Sequence, residues 1–257
     1  MMKRRILAGI VVLMFVVMGT AQTQWPDLTW IKVGGGKTCS IDGAATNADK
    51  AALNRLKNRF TLPDKEFKPI TFDELRQLDQ GKAVNGQIVN FPGSSHPDNA
   101  KAVSLEGFVA AVSTGGCSSG ESCNCKTTIP LYCDTHIDVY PAKDSPKKDG
   151  HNRFVVEITR RIRILAWQGL LESNVGKDWS TAGLQKLVGR RVRFSGYLYF
   201  DTDHSQEAWV NDASNKIGFQ KDHNGNIIRD HNGNPIGNNW RETAWEIHPV
   251  MKIELLN

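Results

Sequence analysis

Five residues in the second half of this 257-residue chain have the side-chain types of a metal site. His136, Glu157 and His248 lie in three separate segments with strand-like alternation, and Asp203 and His204 directly follow a fourth. Histidine and carboxylate suit zinc or manganese, and a bound ion could activate water for hydrolysis. The set predicts a metal-dependent hydrolase, similar to a phosphodiesterase or nuclease. The plainer interpretation is that outward strand residues are polar because one sheet face is wet.

A second set combines cations with aromatic rings. Arg161 lies where the third strand is expected to continue, and the fourth predicted strand carries the other four residues at alternate positions: Arg191, Arg193, Tyr197 and Tyr199. Such a face could bind a short oligonucleotide, an oligosaccharide or another small polyanion. The plainer interpretation is a solvated sheet face, where arginine and tyrosine pack across strands.

The first residues predict export. Lys3, Arg4 and Arg5 precede an apolar run at 6–18, and small residues end that run at Ala21. We therefore expect a cleavable signal peptide over 1–21 and a periplasmic or secreted product. Its removal lowers the net charge from +5 to +2, which makes no strong case for long nucleic acid as a partner. No later apolar run approaches membrane length, so we expect no stable membrane insertion of the mature chain.

The cysteines predict disulfides. In an oxidising compartment, clustered cysteines in a loop rich in glycine and serine gain stability from cross-links. A thiolate metal site is the alternative, but the spacing lacks paired Cys-x-x-Cys motifs. The pairing stays open, and with five cysteines we expect Cys39 to be the unpaired one. The disulfide candidates are Cys117, Cys123, Cys125 and Cys133.

The hydrophobic periodicity divides the mature chain at about residue 100. Residues 22–100 predict a short helical and extended segment, with a helix at 47–59 and another after the capping-box pattern of Thr71 and Glu74. Residues 101–257 predict a mainly β domain, α+β overall. Its expected strands are 103–111, 134–140, 154–164, 192–200 and 243–255, with a helix capped by Ser180 between the third and fourth.

Three strands, a helix and two strands is the connectivity of an OB-like β-barrel. Before the last strand, an Asp-His-Asn-Gly-Asn repeat begins at Asp222 and again at Asp230. Each Asn-Gly favours a tight hairpin turn. A calcium loop of the EF-hand type is the less favoured alternative, because its glycine belongs at the sixth position of the loop rather than the fourth.

Several segments together resemble an uncharacterised family of exported bacterial proteins. They are ALNRLKNR at 52–59, CNC at 123–125, DTHID at 134–138, VEIT at 156–159, DWST at 178–181 and TAWEIHPV at 243–250. The resemblance covers most of the mature chain and implies export and an OB-like fold. It implies no activity, so no catalytic residue follows from it.

Together these features favour an exported OB-like binding module over an enzyme. The expected partner is a small or oligomeric polar ligand, or an envelope protein, and no cofactor is expected. The alternative is the hydrolase above, with zinc or manganese as its cofactor.

Overall fold

A computed structural model describes 25–78, 82–84, 87–89, 101–117, 120–145, 150–210, 222, 224, 226–229, 231–233, 237 and 239–257. The predicted signal peptide at 1–21 lies outside these residues. Parts of the Asp-His-Asn-Gly-Asn repeat, including Asp230, also lie outside them.

The N-terminal segment contains short elements. They are β1 (Trp30–Lys32), β2 (Thr38–Ser40), α1 (Ala48–Lys57), β3 (Lys68–Pro69), α2 (Phe72–Gln77), β4 (Lys82–Val84) and β5 (Gln87–Val89).

Both predicted N-terminal helices are confirmed, and each starts at a capping side chain. Asn47 accepts a hydrogen bond from the backbone of Lys50 at the start of α1. Thr71 and Glu74 form the predicted capping box of α2, which satisfies two backbone N–H groups that a helix start leaves without partners.

The remaining elements follow from residue 102. They are β6 (Ala102–Gly115), β7 (Asp134–Tyr140), β8 (Phe154–Ile158), α3 (Arg160–Gln168), α4 (Thr181–Leu184), β9 (Arg191–Phe200), β10 (Ala208–Val210), β11 (Arg241–Thr243) and β12 (Trp245–Leu255).

Five strands close into a barrel in the order β6-β7-β8-β12-β9, because β9 also pairs with β6. The β8–β12 pair is parallel, the other barrel pairs are antiparallel, and β3 adds a sixth strand beside β6. This mixed barrel confirms the predicted mainly β, OB-like fold with a helix between the third and fourth strands. Ile137 and Val139 are fully buried, as the alternation of the second strand predicts.

The last barrel strand shifts its register around Pro249. The pairing of β12 with β9 slips between Ile247 and Val250. The strand therefore bends at a residue that cannot donate to the sheet.

The prediction that the third strand continues to Ile164 was wrong. Thr159 caps a new helix by accepting from the backbone of Ile162, and Gly169 ends it in the left-handed conformation. Isoleucines two residues apart mimic a strand, but Ile162, Leu165 and Ala166 share the buried face of α3. That spacing of three and four is helical.

Two disulfides join the loops at one end of the barrel. Cys39 pairs with Cys125, and Cys117 pairs with Cys133. The expectation that Cys39 is unpaired was wrong, because the unpaired cysteine is Cys123, which is buried. The Cys39–Cys125 bond fastens β2 to the loop between β6 and β7.

The N-terminal segment shares a hydrophobic core with the barrel. Leu28, Leu53 and Leu56 belong to the same buried cluster as Phe194 and Trp245 of β9 and β12. The segment therefore covers part of the barrel surface.

The described part of the repeat adopts a turn. The Asp222 carboxylate accepts hydrogen bonds from the backbone N–H groups of Asn224 and Asn226. A carboxylate that accepts from the amide two residues later forms an Asx turn, which favours the turn interpretation of this first copy.

Candidate functional site

Polar side chains line the outer face of three barrel strands. On β7, Asp134, His136 and Asp138 alternate with inward residues, and β8 and β12 add Glu157 and His248. We expected such outward residues to face water, yet each of these carboxylates and His248 is more than nine-tenths buried. Helix α1 and the loop between β6 and β7 lie beside Asp134 and Glu157, and Arg153 pairs with Asp138.

The two covering elements contact each other, and Lys57 of α1 also lies over the ring of Tyr199 in β9. Lys57 of α1 forms an ion pair with Glu121 at 2.5 Å. Asn58, next along the chain, donates from Nδ2 to the carbonyl of Cys123 at 3.0 Å. The buried face is therefore the interface between the barrel and its N-terminal segment.

A pocket of about 420 Å³ opens between these layers. We call it the polar pocket. Its walls come from α1, the loop between β6 and β7, and strands β7 and β8. Residues 201–204, which follow β9, and residues 240–241, which lie at the start of β11, complete them. Its lining residues are Lys50, Lys57, Gly116, Gly120, Glu121, Ser122, His136, Glu157, Asp201, Asp203, His204, Trp240 and Arg241.

His136 is clamped between two carboxylates. Its Nδ1 lies 2.7 Å from Glu157 Oε1 and its Nε2 lies 3.1 Å from Asp138 Oδ1. Burial alone would lower the pKa of His136, but the hydrogen bonds to Asp138 and Glu157 outweigh it and raise the pKa to about 10. His136 is thus an imidazolium with both nitrogens engaged, which leaves no lone pair for a metal.

Asp201 is the hub of the opposite wall. Its Oδ2 lies 2.7 Å from His204 Nδ1 and 3.2 Å from Arg241 Nη1, and Lys57 Nζ lies 4.0 Å from its Oδ1. Burial would raise the pKa of Asp201, but the charge of Lys57 and the hydrogen bond from His204 hold it well below its usual range. That hydrogen bond also raises the pKa of His204 to about 9.

A third cluster, which we call the pocket floor, lies behind Glu157 of the pocket wall. Asp134, Glu157 and His248 each offer one ligand atom, and these three atoms lie within 4.8 Å of one another. His248 Nδ1 lies 3.0 Å from Glu246 Oε1 and 3.3 Å from Glu157 Oε2, while its Nε2 lies 3.8 Å from Asp134 Oδ2.

The two carboxyls of the floor have pKa values shifted in opposite directions. Burial, together with the charge of Glu121, raises the pKa of Asp134 to about 7. Burial acts in the same direction on Glu157, but the hydrogen bond from His136 and the charge of His248 hold the pKa of Glu157 well below its usual range. Glu157 is therefore ionised at neutral pH, whereas Asp134 is only partly ionised there.

The unpaired cysteine lies beside the floor. Cys123 Sγ is 3.7 Å from Asp134 Oδ2, and Cys123, Asp134 and Glu121 form a second group whose ligand atoms lie within 4.8 Å of one another. Burial and the charges of Glu121 and Asp134 raise the pKa of the Cys123 thiol, so it stays protonated at neutral pH.

The structure gathers the five predicted metal residues around this pocket without making them one ligand set. His136, Glu157, Asp203 and His204 line the pocket, and His248 contacts Glu157 beneath it. Asp203 forms an ion pair with Lys50, and His204 pairs with Asp201. Only Glu157 and His248 belong to the floor cluster.

Asp134 is the floor residue that the sequence analysis missed. It precedes His136 by two positions and so shares its face of β7. The Asp-x-His-x-Asp alternation in the sequence could have identified it.

Arg161 does not lie with the other predicted ligand-binding residues. It is buried in α3, where its guanidinium donates to the carbonyls of Leu28 and Cys39 and to Asn58 Oδ1 at 2.7 to 3.1 Å. Its placement on a strand face was wrong, because Thr159 starts a helix before it.

The four residues of β9 share one strand face, but half of that face is buried and half is exposed. Tyr197 and Tyr199 are buried, with Tyr197 donating to the carbonyl of Thr61 and Tyr199 beneath Lys57. Arg191 and Arg193 are more exposed, and both form ion pairs with Glu106. The tyrosines and arginines therefore do not form one open surface.

A larger groove of about 1100 Å³ lies elsewhere, beside the exposed half of β9. Its walls include Arg193, Glu106 and an ion pair between Lys252 and Glu172 at 2.8 Å. We place the candidate site in the smaller polar pocket, because buried and mutually constrained titratable groups mark functional sites more strongly than volume does.

Comparisons of the chain with protein-family models, with curated proteins and with solved structures find no match. The resemblance to a family of exported bacterial proteins therefore stays a prediction. Among the described residues, no helix combines the length and apolar character needed to cross a membrane.

Proposed function

We propose that this chain is an exported OB-like binding module whose polar pocket holds a small polar ligand without net charge, such as one or two sugar units. The observation that carries this proposal is the pairing of every cation in the pocket wall with a carboxylate inside a pocket of about 420 Å³. OB barrels serve as binding scaffolds for oligosaccharides as well as oligonucleotides.

The charge pattern argues against an anionic ligand. Lys50 pairs with Asp203, and Lys57 pairs with Glu121. Arg241 is shared between two carboxylates of the network. A phosphate would have to compete with these carboxylates for each cation, whereas a neutral ligand leaves the ion pairs intact.

The same pattern suits hydroxyl groups. Each hydroxyl donates one hydrogen bond and accepts others. At the pocket mouth, Asp203 and His204 are about two-fifths exposed and Lys50 is about one-quarter exposed. Together they offer carboxylate acceptors and N–H donors within one wall.

The two disulfides support export, since such bonds persist in oxidising compartments. The charged start and short apolar run at 1–18 support the same proposal.

The test compares two charge-neutral double variants. Lys50→Ala/Asp203→Ala removes the ion pair at the mouth of the polar pocket, and Lys252→Ala/Glu172→Ala removes the ion pair of the groove. We would titrate wild type and both variants by calorimetry with neutral mono- and disaccharides, inorganic phosphate and short oligonucleotides. We expect saccharide binding that is insensitive to salt and weakened at least about tenfold, or about 1.4 kcal/mol, only in the pocket variant.

Three results would contradict the proposal. Binding lost in the groove variant instead would move the site to the groove. Preference for phosphate or oligonucleotide, with affinity falling steeply as salt rises, would replace the neutral ligand with an anion. Failure of every saccharide to bind would exclude this ligand class.

The hydrolase alternative requires a metal ion near the pocket. Of the residues the structure describes, two groups that share Asp134 are close enough to hold one: Asp134 with Glu157 and His248, and Asp134 with Glu121 and Cys123.

A further inference from the structure

Each residue of the pocket floor has one buried polar atom that lacks a hydrogen-bond partner within the described part of the chain. These atoms are Asp134 Oδ1, Glu157 Oε2 and His248 Nε2. Asp134 and His248 are fully buried, and Glu157 is more than nine-tenths buried. A buried polar atom without a partner is destabilising, and in native structures such an atom often marks a functional group or a binding site for an ion or water.

The three residues converge. Their ligand atoms lie within 4.8 Å of one another, and they come from three neighbouring barrel strands, β7, β8 and β12. Strands of a closed barrel hold side chains more rigidly than loops do. The cluster is therefore preformed rather than assembled by a mobile segment.

His248 is oriented as metal-binding histidines are. Its Nδ1 hydrogen-bonds to Glu246 Oε1 at 3.0 Å, while its Nε2 lies on the side of Asp134. In metal sites the second ring nitrogen of a ligating histidine almost always donates to a carboxylate or carbonyl, which fixes the ring and the tautomer. With Nδ1 held by Glu246, Nε2 is the ring nitrogen that can bind a cation, and binding there displaces its proton.

We propose that Asp134, Glu157 and His248 form a divalent cation site in the pocket floor, and that its ion is zinc. When metal binding displaces their protons, two carboxylates and a neutral imidazole carry a charge of −2, which a dication balances. Imidazole nitrogen and carboxylate oxygen are both zinc ligands, and catalytic zinc sites use three protein ligands with one open position. The nitrogen ligand and the neighbouring Cys123 thiol favour zinc over magnesium or calcium, which prefer oxygen ligands.

The neighbouring cationic side chains do not neutralise these carboxylates completely. His136 uses its two ring nitrogens for Glu157 Oε1 and Asp138 Oδ1, which leaves Glu157 Oε2. Lys57 is engaged by Glu121. Of the three residues, Glu157 also lines the polar pocket, so the cluster lies directly behind the pocket wall. The site does not depend on which ligand the pocket binds.

The test measures metal in the full mature chain, purified without chelator and then stripped and reloaded. We would titrate Zn²⁺, Mn²⁺ and Mg²⁺ by calorimetry and determine bound metal by mass spectrometry. We expect about one zinc per chain, a preference for zinc, and a rise in Tm on loading.

Variants then assign the ligands. His248→Gln should weaken zinc binding at least about 100-fold, and Glu246→Gln about 10- to 100-fold, because it removes the group that orients His248. The matched control is His204→Gln, which changes a histidine of the same pocket outside the floor cluster and should keep wild-type affinity.

A spectroscopic measurement on the wild type tests the proposal if the variants of buried residues fail to fold. The absorption spectrum of the Co²⁺-loaded wild type should show the intense visible bands of a four- or five-coordinate site. An octahedral spectrum, less than about 0.1 zinc per chain after reloading, or equal loss of zinc in His204→Gln would overturn the proposal. Saccharide binding is measured separately, so failure of the metal site and failure of the pocket proposal are distinguishable.

Discussion

The polar side chains beneath α1 hold one another in place. His136 bridges two carboxylates, and Asp201 joins His204, Arg241 and Lys57. Buried ion pairs contribute little net stability, because desolvation offsets their mutual attraction. An apolar interface would hold the N-terminal segment on the barrel at least as well. The retention of so many charges at one place is therefore better explained by a function of the polar pocket.

His204 should make stability depend on pH. Its pKa is raised from 6.5 to about 9, first by the hydrogen bond to Asp201. The folded state thus binds the proton more tightly than the unfolded state does. The resulting stabilisation is fully present below about pH 6.5 and is lost as the pH rises through about 9.

The measurement is urea unfolding of wild type and His204→Gln at pH 6 and pH 9.5. Both proteins should carry Cys123→Ala, so that the free thiol cannot exchange with the disulfides. We expect the variant to be less stable at pH 6 and the difference to shrink at pH 9.5. A difference that is equal at both pH values would show that His204 keeps an ordinary pKa.

At the scale of elements, the formation of helix α3 changes the position and the contacts of Arg161. A strand would have placed Arg161 on the barrel face, but the helix turns it toward the carbonyls of Leu28 and Cys39. Arg161 of α3 therefore joins the N-terminal segment to the barrel domain through these hydrogen bonds. Burial lowers its pKa to about 10, so it remains charged at neutral pH.

Arg161→Leu should destabilise the protein by about 2–4 kcal/mol, because it leaves buried acceptors without donors. The matched control is Arg191→Leu, which removes a half-exposed arginine and its ion pair with Glu106 and should cost less than about 1 kcal/mol. Chemical denaturation of the two variants measures both values. Similar losses would mean that the contacts of Arg161 do not hold the segment.

At the scale of the whole molecule, two covalent bonds close loops of very different length. Cys39 and Cys125 are 86 residues apart, and Cys117 and Cys133 are 16 residues apart. In the chain-entropy view, a longer closed loop removes more freedom from the unfolded chain. The Cys39–Cys125 bond also joins the N-terminal segment to the barrel.

Removal of the long-range disulfide should therefore cost more. The chain-entropy relation gives about 4.5 kcal/mol for Cys39→Ala/Cys125→Ala and about 3 kcal/mol for Cys117→Ala/Cys133→Ala. Thermal and urea unfolding of the two double variants compares them directly. The reverse order would indicate that native packing around Cys117 and Cys133 outweighs the loop term.

The site was partly predictable. The alternation of β7 correctly indicated that His136 and Asp138 point away from the barrel core. It could not show that α1 covers them, because Leu53 and Leu56 make α1 amphipathic without naming the surface on which it packs. The grouping of Glu157 with His248 depends on the parallel pairing of β8 with β12, which joins residues some 90 positions apart.

The sequence by itself determined the barrel and its order of strands, since inward residues alternate along each strand and glycines and capping residues mark the ends. Local patterns decide such elements because their causes are local. Only the tertiary structure decided the disulfide pairing, the turn of Arg161 into α3 and the convergence of Asp134 with Glu157 and His248. Those outcomes depend on which surfaces meet, and that choice minimises the free energy of the whole chain rather than of any one segment.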